Sequence, residues 1–446
     1  MLSCAFAAAF LNLYMNLIAS YSRGSLELDL SPDGDLMGFH QFSPRSAEET
    51  FRRDPETPGE CVGLCPVRAD VSQLQYVQSL LDKRMYRLPE SSFSVEMQPA
   101  KRLPPTADTP ALRFFPNWSA FNEWVAPRHL FPQRLTVNDA SAIIGALSSA
   151  SIVQASSSIQ HSQFRFELQL SGLQKASFVP QTTNCRTRDR SSSKDPHKAE
   201  IASYYLGALL ELGRMSPVVG RRVKAKRELL DAATLDLRKA LLNSSAQLCF
   251  SGQAGRCACV DKEGYLDGAV ILSLPHKYSK LATMASPWSS NESLSVEHDY
   301  CLKVRAHQFL GRPPVYLDLI DTAVYDYLTG NAGRQLLAYM LNSEPKMILL
   351  LDNYDSFANQ RDELSILAPL YQCCQIRRKL YDVLMRYSEL NLAQALDQQL
   401  ALDRLYPILS QTQLQAVNRR LRTVVNLLAT CIDEHGASYV LQEDGF

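Results

Sequence analysis

Apolar and polar positions change rhythm several times along this chain, and each change predicts an element. "SIVQA" and "QFRFELQL" alternate around a Ser-rich turn with the period of half-buried strands, and "KASFV" repeats it. A small antiparallel sheet is therefore expected. After the linker "PQTTNCRTRDRSSSKDP" the period lengthens: Ile201, Tyr204, Tyr205, Ala208, Leu209 and Leu212 recur at helical spacing. They predict a helix ending at Gly213 with Glu200 in its first turn, where the macrodipole favours a carboxylate. "PVYLDLIDTAVYDYLTGNAGRQLLAYML" reads as a helix closed by Gly330, a turn and a second helix. The run Met347 to Leu351 is a short buried strand delivering Asp352 to a loop, and amphipathic helices fill Gln375 to Glu434. Their basic spots, "RRK" and "NRRLR", read as solvated helix faces.

The N-terminal quarter has a different character. "LSCAFAAAFLNLYMNLIAS" carries no charge, so residues 1–22 are expected to be a signal peptide or a signal anchor. Residues 23–110, rich in Pro, Ser and charge, read as a largely irregular stem, with one helical pattern near "QLQYVQSLLDKRMY". From residue 111 onward the aromatic and aliphatic content rises and a packed domain begins.

Composition narrows the function. With 46% hydrophobic residues the chain can bury a sizeable core, which excludes general disorder. Lys plus Arg equals Asp plus Glu at 46 each, with no block of like charge, so no nucleic-acid partner is expected. Sequons at Asn117, Asn243 and Asn291 and eleven cysteines fit an oxidising lumen. Cys61 with Cys65, and Cys257 with Cys259, lack the usual zinc-knuckle spacing and an accompanying histidine pair.

Sheet, helix with an early Glu, helix leading to a Gly-Asn turn, then strand and Asp is the order in which a kinase-like nucleotide site is assembled. With "HKAEIASYYLGALL", "SPVVGRRV", "VEHDYC", "DTAVYDYLTGN" and "DELSILAPLYQCC", the chain resembles the secretory-pathway "Fam-twenty" kinase family. That family comprises Golgi casein kinase, glycosaminoglycan xylosylkinase and a pseudokinase relative that activates the casein kinase. The resemblance covers the domain from 111 to 446. It implies an α+β, two-lobed atypical protein-kinase-like fold, with a small antiparallel-sheet N-lobe and a mostly helical C-lobe. The implied cofactor is ATP with Mn²⁺ or Mg²⁺.

Site residues follow from the resemblance position by position. Asp352 falls on the metal-binding aspartate of the family's "LDNGRGFG", and Glu200 matches the glutamate of "AEIAAF", a second acidic contact at metal and phosphates. Three positions depart. The family strand ends "ALFKP", and Val179 stands where its Lys pairs with nucleotide phosphates. Lys175, four residues back, is roughly 13 Å away, too far for simple substitution, which leaves a lysine from another strand as the alternative. The family's "GNxDRHH" provides the proton acceptor; here "GNAGRQL" puts Gly333 there, and neither Asp326 nor Asp355 matches that position. Lastly, "SSSIQHS" lacks the glycines of the family's first turn.

The resemblance also implies that Cys373 and Cys374 reach Cys301 and Cys431, in either order. Pairing of Cys61, Cys65, Cys185, Cys249, Cys257 and Cys259 is left open. The resulting expectation is a pseudokinase of the Golgi lumen or secreted space, meeting a membrane only through its N-terminal segment, which is either a cleaved signal or a single-pass type II anchor. It would act as an allosteric or binding partner of an active family kinase. The alternative is an active kinase for secreted-protein serines or a proteoglycan xylose.

Overall fold

Alternation of apolar residues sets the small lobe. The computed structural model describes residue 130 and residues 137–443, except 158–163, 186–194, 243–247, 252–255, 286–299, 309, 343, 345 and 359–361. Helix α1 (Val137–Ser149) leads into β1 (Ile152–Ser157), β2 (Phe166–Leu170) and β3 (Lys175–Pro180), the three strands read from the sequence. With β4 (Val218–Lys224) and β5 (Tyr265–Leu272) they form one antiparallel sheet in the order β1, β2, β3, β5, β4. Phe166, Leu168 and Leu170 point to the buried face of β2, as a period of two requires. Phe166 packs against Phe178 and Phe250 with ring centroids 6.2 and 5.2 Å apart.

Helix α2 (Pro196–Leu209) opens on a proline, whose missing N–H costs nothing at the first helical position. It stops before the expected Gly213, because the chain turns out through positive φ at Glu211 and Gly213. Glu200 is the fifth helical residue, in the second turn rather than the first, and it is buried. The macrodipole reading of Glu200 therefore gives way to one based on its buried contacts.

Helix α3 (Pro313–Thr329) is buried on every side from Val315 to Thr329, the mark of a central core helix. Its cap Gly330 takes the left-handed conformation (φ 67°) that glycine enters without a Cβ clash, as the sequence suggested. The helix expected after that turn is instead a strand, β7 (Leu336–Met340), paired antiparallel with β6 (Leu281–Ala285) and with β8 (Ile348–Leu349). The reason is tertiary: ladder partners on both sides override the helical propensity of "RQLLAYML".

Helices α4 (Arg378–Leu390), α5 (Leu392–Leu400) and α6 (Gln411–His435) complete the large lobe, the last with a Ser410–Gln413 capping box. The basic spots are only partly solvated. Arg377 pairs with Asp318 and Asp321 beneath α4, and Arg420, 1% exposed, pairs with Asp362. Arg377 thus faces the buried carboxylates of Asp318 and Asp321 and Arg420 that of the partly exposed Asp362, partnerships that local spacing could not reveal.

Disulfides join Cys301 to Cys373 and Cys374 to Cys431, and Cys374 lies at φ 47°, which turns the two adjacent side chains to different partners. The bridges span 72 and 57 residues, and the chain-entropy model assigns loops of such length about 4 kcal/mol each. In the small lobe Cys185 pairs with Cys257 and Cys249 with Cys259. Among the described residues no helix is long and apolar enough to cross a membrane. The apolar segment 1–22, the stem 23–110, Cys61, Cys65 and the sequons at Asn117, Asn243 and Asn291 lie outside the described residues, as does most of the "SSSIQHS" turn.

Candidate nucleotide and metal site

Three segments meet where the two lobes face each other: the edge of β2, the middle of α2 and the loop after β8. Glu200 is 2% exposed, and one of its carboxylate oxygens accepts the backbone N–H of Asn353 at 3.1 Å. Burial pushes its pKa up to about 7, against the pull of Arg165 and with a further push from the negative charge of Asp352. Asp352 sits at φ 56°, a left-handed conformation unusual for a residue with a side chain. Its carboxylate is 57% exposed, so the loop holds it at the cleft rather than in the core. Such a sparsely populated conformation persists only where surroundings impose it, a pattern that clusters at functional sites.

Arg165 is the residue that sequence reasoning missed. Its guanidinium, 9% exposed, donates to Oδ1 of Asp352 at 2.7 Å. The β2–β3 register pairs Phe166 with Phe178, so one further step puts Arg165 across from Val179. Directly opposite side chains on antiparallel strands lie on the same face, about 5 Å apart at Cβ. A cation thus stands just before β2, across from position 179. Val179 itself is buried in the core with Ile201 and Ala269, and Lys175 is exposed at the far end of β3. The signal was available: the strand pattern alone sets the register, and counting across the turn leads from Val179 to Arg165.

Arg334 fastens the lower half of the site. It donates to Oδ2 of Asp326 at 2.7 Å, to the carbonyl of Leu351 at 2.5 Å and to Oδ1 of Asn353 at 2.7 Å. Since Asn353 in turn meets Glu200, one guanidinium links the turn after α3, the Asp352 loop and α2. Asp326 is fully buried, and burial raises its pKa despite Arg334. That leaves it shut away from any incoming hydroxyl.

Gly333 carries no side chain at the position expected for a proton acceptor, and its N–H meets Oδ1 of Asn331 at 3.3 Å. It is not among the glycines with positive φ, so a side chain there meets crowding rather than backbone strain. The crowding comes from Asp355, whose Oδ2 would lie 2.6 Å from an added Cβ.

Two carboxylates that sense each other's charge, with an arginine beside them, match what a hard divalent ion and phosphate oxygens require. Glu200 and Asp352 could hold such an ion, and Arg165 a phosphate.

The family model described as "Fam20C: Golgi casein kinase, C-terminal, Fam20" matches residues 116–440. The glycosaminoglycan xylosylkinase of Homo sapiens is 33% identical over 382 residues, 81% of this chain and 90% of that protein. The structure of hydra Fam20 with sugar is 31% identical with a TM-score of 0.67, covering 74% of this chain and 99% of that one. The Golgi casein kinase with Mn/ADP bound shares the fold at a TM-score of 0.64 and 22% identity, over 86% of this chain and 96% of that one.

Proposed function

The chain belongs to the Fam20 family, and on that premise we propose that its cleft binds ATP with Mn²⁺ or Mg²⁺ while its main work is that of a pseudokinase. In this reading it acts in the Golgi lumen or after secretion, as a binding or allosteric partner of an active family kinase. The apolar segment 1–22 would bring it there as a leader or anchor, the stem 23–110 would space the domain, and Asn117, Asn243 and Asn291 would carry glycans. One observation carries the proposal: Arg165, Glu200 and Asp352 converge as a cradle for a metal nucleotide, whereas position 333 holds a glycine.

The chemistry follows from those residues. Glu200 and Asp352 would hold the ion, whose positive charge offsets that of the nucleotide phosphates. Arg165 would exchange Asp352 for a phosphate oxygen, a charge-assisted contact of comparable strength. Without a side chain at 333, general-base help of about 10²–10⁴ in rate is missing from its usual place. A second reading, slow transfer to a secreted-protein serine or a proteoglycan xylose, is favoured by the Asp355 carboxylate lying against Gly333.

Thermal unfolding with ATP, with and without Mn²⁺ or Mg²⁺, tests the binding. A ligand at a hundred times its dissociation constant adds about 2.7 kcal/mol, an easily read shift. The shift is expected only with metal and is expected to vanish in Asp352→Ala. A shift unchanged in that variant would put the nucleotide elsewhere. The partner role is tested by adding the protein to an active family kinase and measuring phosphate incorporation; no complex and no change in rate would refute it.

A further inference from the structure

Resting on the nucleotide-binding reading above, we propose that Asp355 is a displaced proton acceptor, leaving the cleft able to transfer a phosphoryl group slowly to a hydroxyl. A Cβ built on Gly333 would stand 2.6 Å from Oδ2 of Asp355 and 3.2 Å from its Cβ and Cγ. The carboxylate of one loop therefore fills the space that a side chain of the other would occupy.

Both loops are fixed where this happens. The amide of Ser356 donates to the carbonyl of Asn353 at 3.0 Å, closing a turn around Asp355. The amide of Phe357 donates to the carbonyl of Thr329 at 2.7 Å, tying that turn to the end of α3. On the other side Arg334, the neighbour of Gly333, grips Leu351 and Asn353. Asp355 is half-buried, so it meets the cleft without being shut into the core. Asp326 lies fully buried on Arg334 and cannot take this role.

In the step, the acceptor oxygen forms a bond to the γ-phosphorus of ATP as its proton passes to the Asp355 carboxylate. The bond from that phosphorus to the bridging oxygen breaks, and its electron pair leaves with ADP. Asp355 then returns the proton to solvent, so no further reactant is needed.

The test uses the full chain, Mn²⁺, γ-labelled ATP and water as the probe acceptor, reading labelled inorganic phosphate, with Asp352→Ala as background. Wild type is expected above background, and Asp355→Asn to release phosphate at least about tenfold more slowly. The Mn²⁺–ATP thermal shift of Asp355→Asn should match wild type, because the amide keeps shape while losing basicity. Asp355→Glu, which keeps the carboxylate, should retain part of the rate. A readout independent of activity checks the geometry: Gly333→Asp alone should lower the melting temperature through collision with Asp355. Adding Asp355→Gly should relieve that loss and restore phosphate release, a non-additive pair.

Equal rates for wild type and Asp355→Asn overturn the inference, as does an Asp355→Gly change that fails to relieve Gly333→Asp. Wild-type release no faster than Asp352→Ala, with the thermal shift intact, also overturns it and leaves nucleotide binding standing. Absence of any nucleotide shift in wild type removes both.

Discussion

The upper and lower walls of the cleft each lack a group at an expected position, and each offers a neighbour in its place. Above, Arg165 stands across the β2–β3 ladder from Val179; below, Asp355 leans on Gly333 from the adjoining loop. The upper substitute lies one residue before β2, just beyond the last β2–β3 pair, and it already pairs with Asp352 at 2.7 Å. The lower substitute depends on a turn and on Arg334. A functional position is a place in space, and the two walls differ in how firmly a neighbour is kept there. On this account nucleotide binding is the more robust property and transfer the more fragile one.

The largest expected effect breaks the lower wall. Arg334→Ala leaves the carboxylate of Asp326 buried without its cation, a loss of about 3–5 kcal/mol in denaturant unfolding. The nucleotide-dependent shift should fall with it, since Asn353 no longer steadies Glu200. A loss below about 1 kcal/mol would mean that the Arg334–Asp326 pair does not organise the wall.

Next comes the carboxylate shared by both walls. The pKa of Glu200 stands at about 7 when folded against an ordinary 4.5, so its contribution to stability is full below about pH 4.5 and is lost as pH rises through 7. The nucleotide-free protein should therefore lose stability on the order of 3 kcal/mol from this group between those pH values, and Glu200→Gln should flatten that limb. Metal prefers the deprotonated carboxylate, so the Mn²⁺–ATP shift should grow from pH 6 to pH 8 in wild type and not in Glu200→Gln. A pH-independent shift in wild type would remove Glu200 from the metal site.

The smallest effect is expected at the upper wall. Val179→Lys restores a lysine where Arg165 already supplies a cation, so nucleotide affinity should change by less than about tenfold, or 1.4 kcal/mol. A larger gain would mean that Arg165 does not fill the vacated role.

Local patterns made much of the frame legible. Alternation located β1 to β3, helical spacing located α2 and α3, and Gly330 marked the end of α3, because each signal lies within a few residues. The strand β7 was misread because its partners lie before α3 and at β8, beyond the reach of a local window. The buried roles of Arg377 and Arg420 were hidden for the same reason, since their carboxylates come from other segments. At the site, Glu200 and Asp352 were readable as motif positions. Arg165 was legible only by counting across the β2–β3 turn from Val179, and Asp355 was in view without matching the motif, since both stand opposite or beside a motif position rather than on it.

If Arg165 supplies the cation missing at Val179, titration of Mn²⁺–ATP into Arg165→Ala beside Lys175→Ala will separate the two residues. Lys175→Ala should keep wild-type stability because its side chain is exposed, whereas Arg165→Ala removes a guanidinium only 9% exposed, so its melting temperature is measured first and the titration is run well below it. Loss of measurable nucleotide binding in Arg165→Ala with wild-type binding in Lys175→Ala is the predicted result. Wild-type binding in Arg165→Ala, or loss in Lys175→Ala alone, would contradict the account.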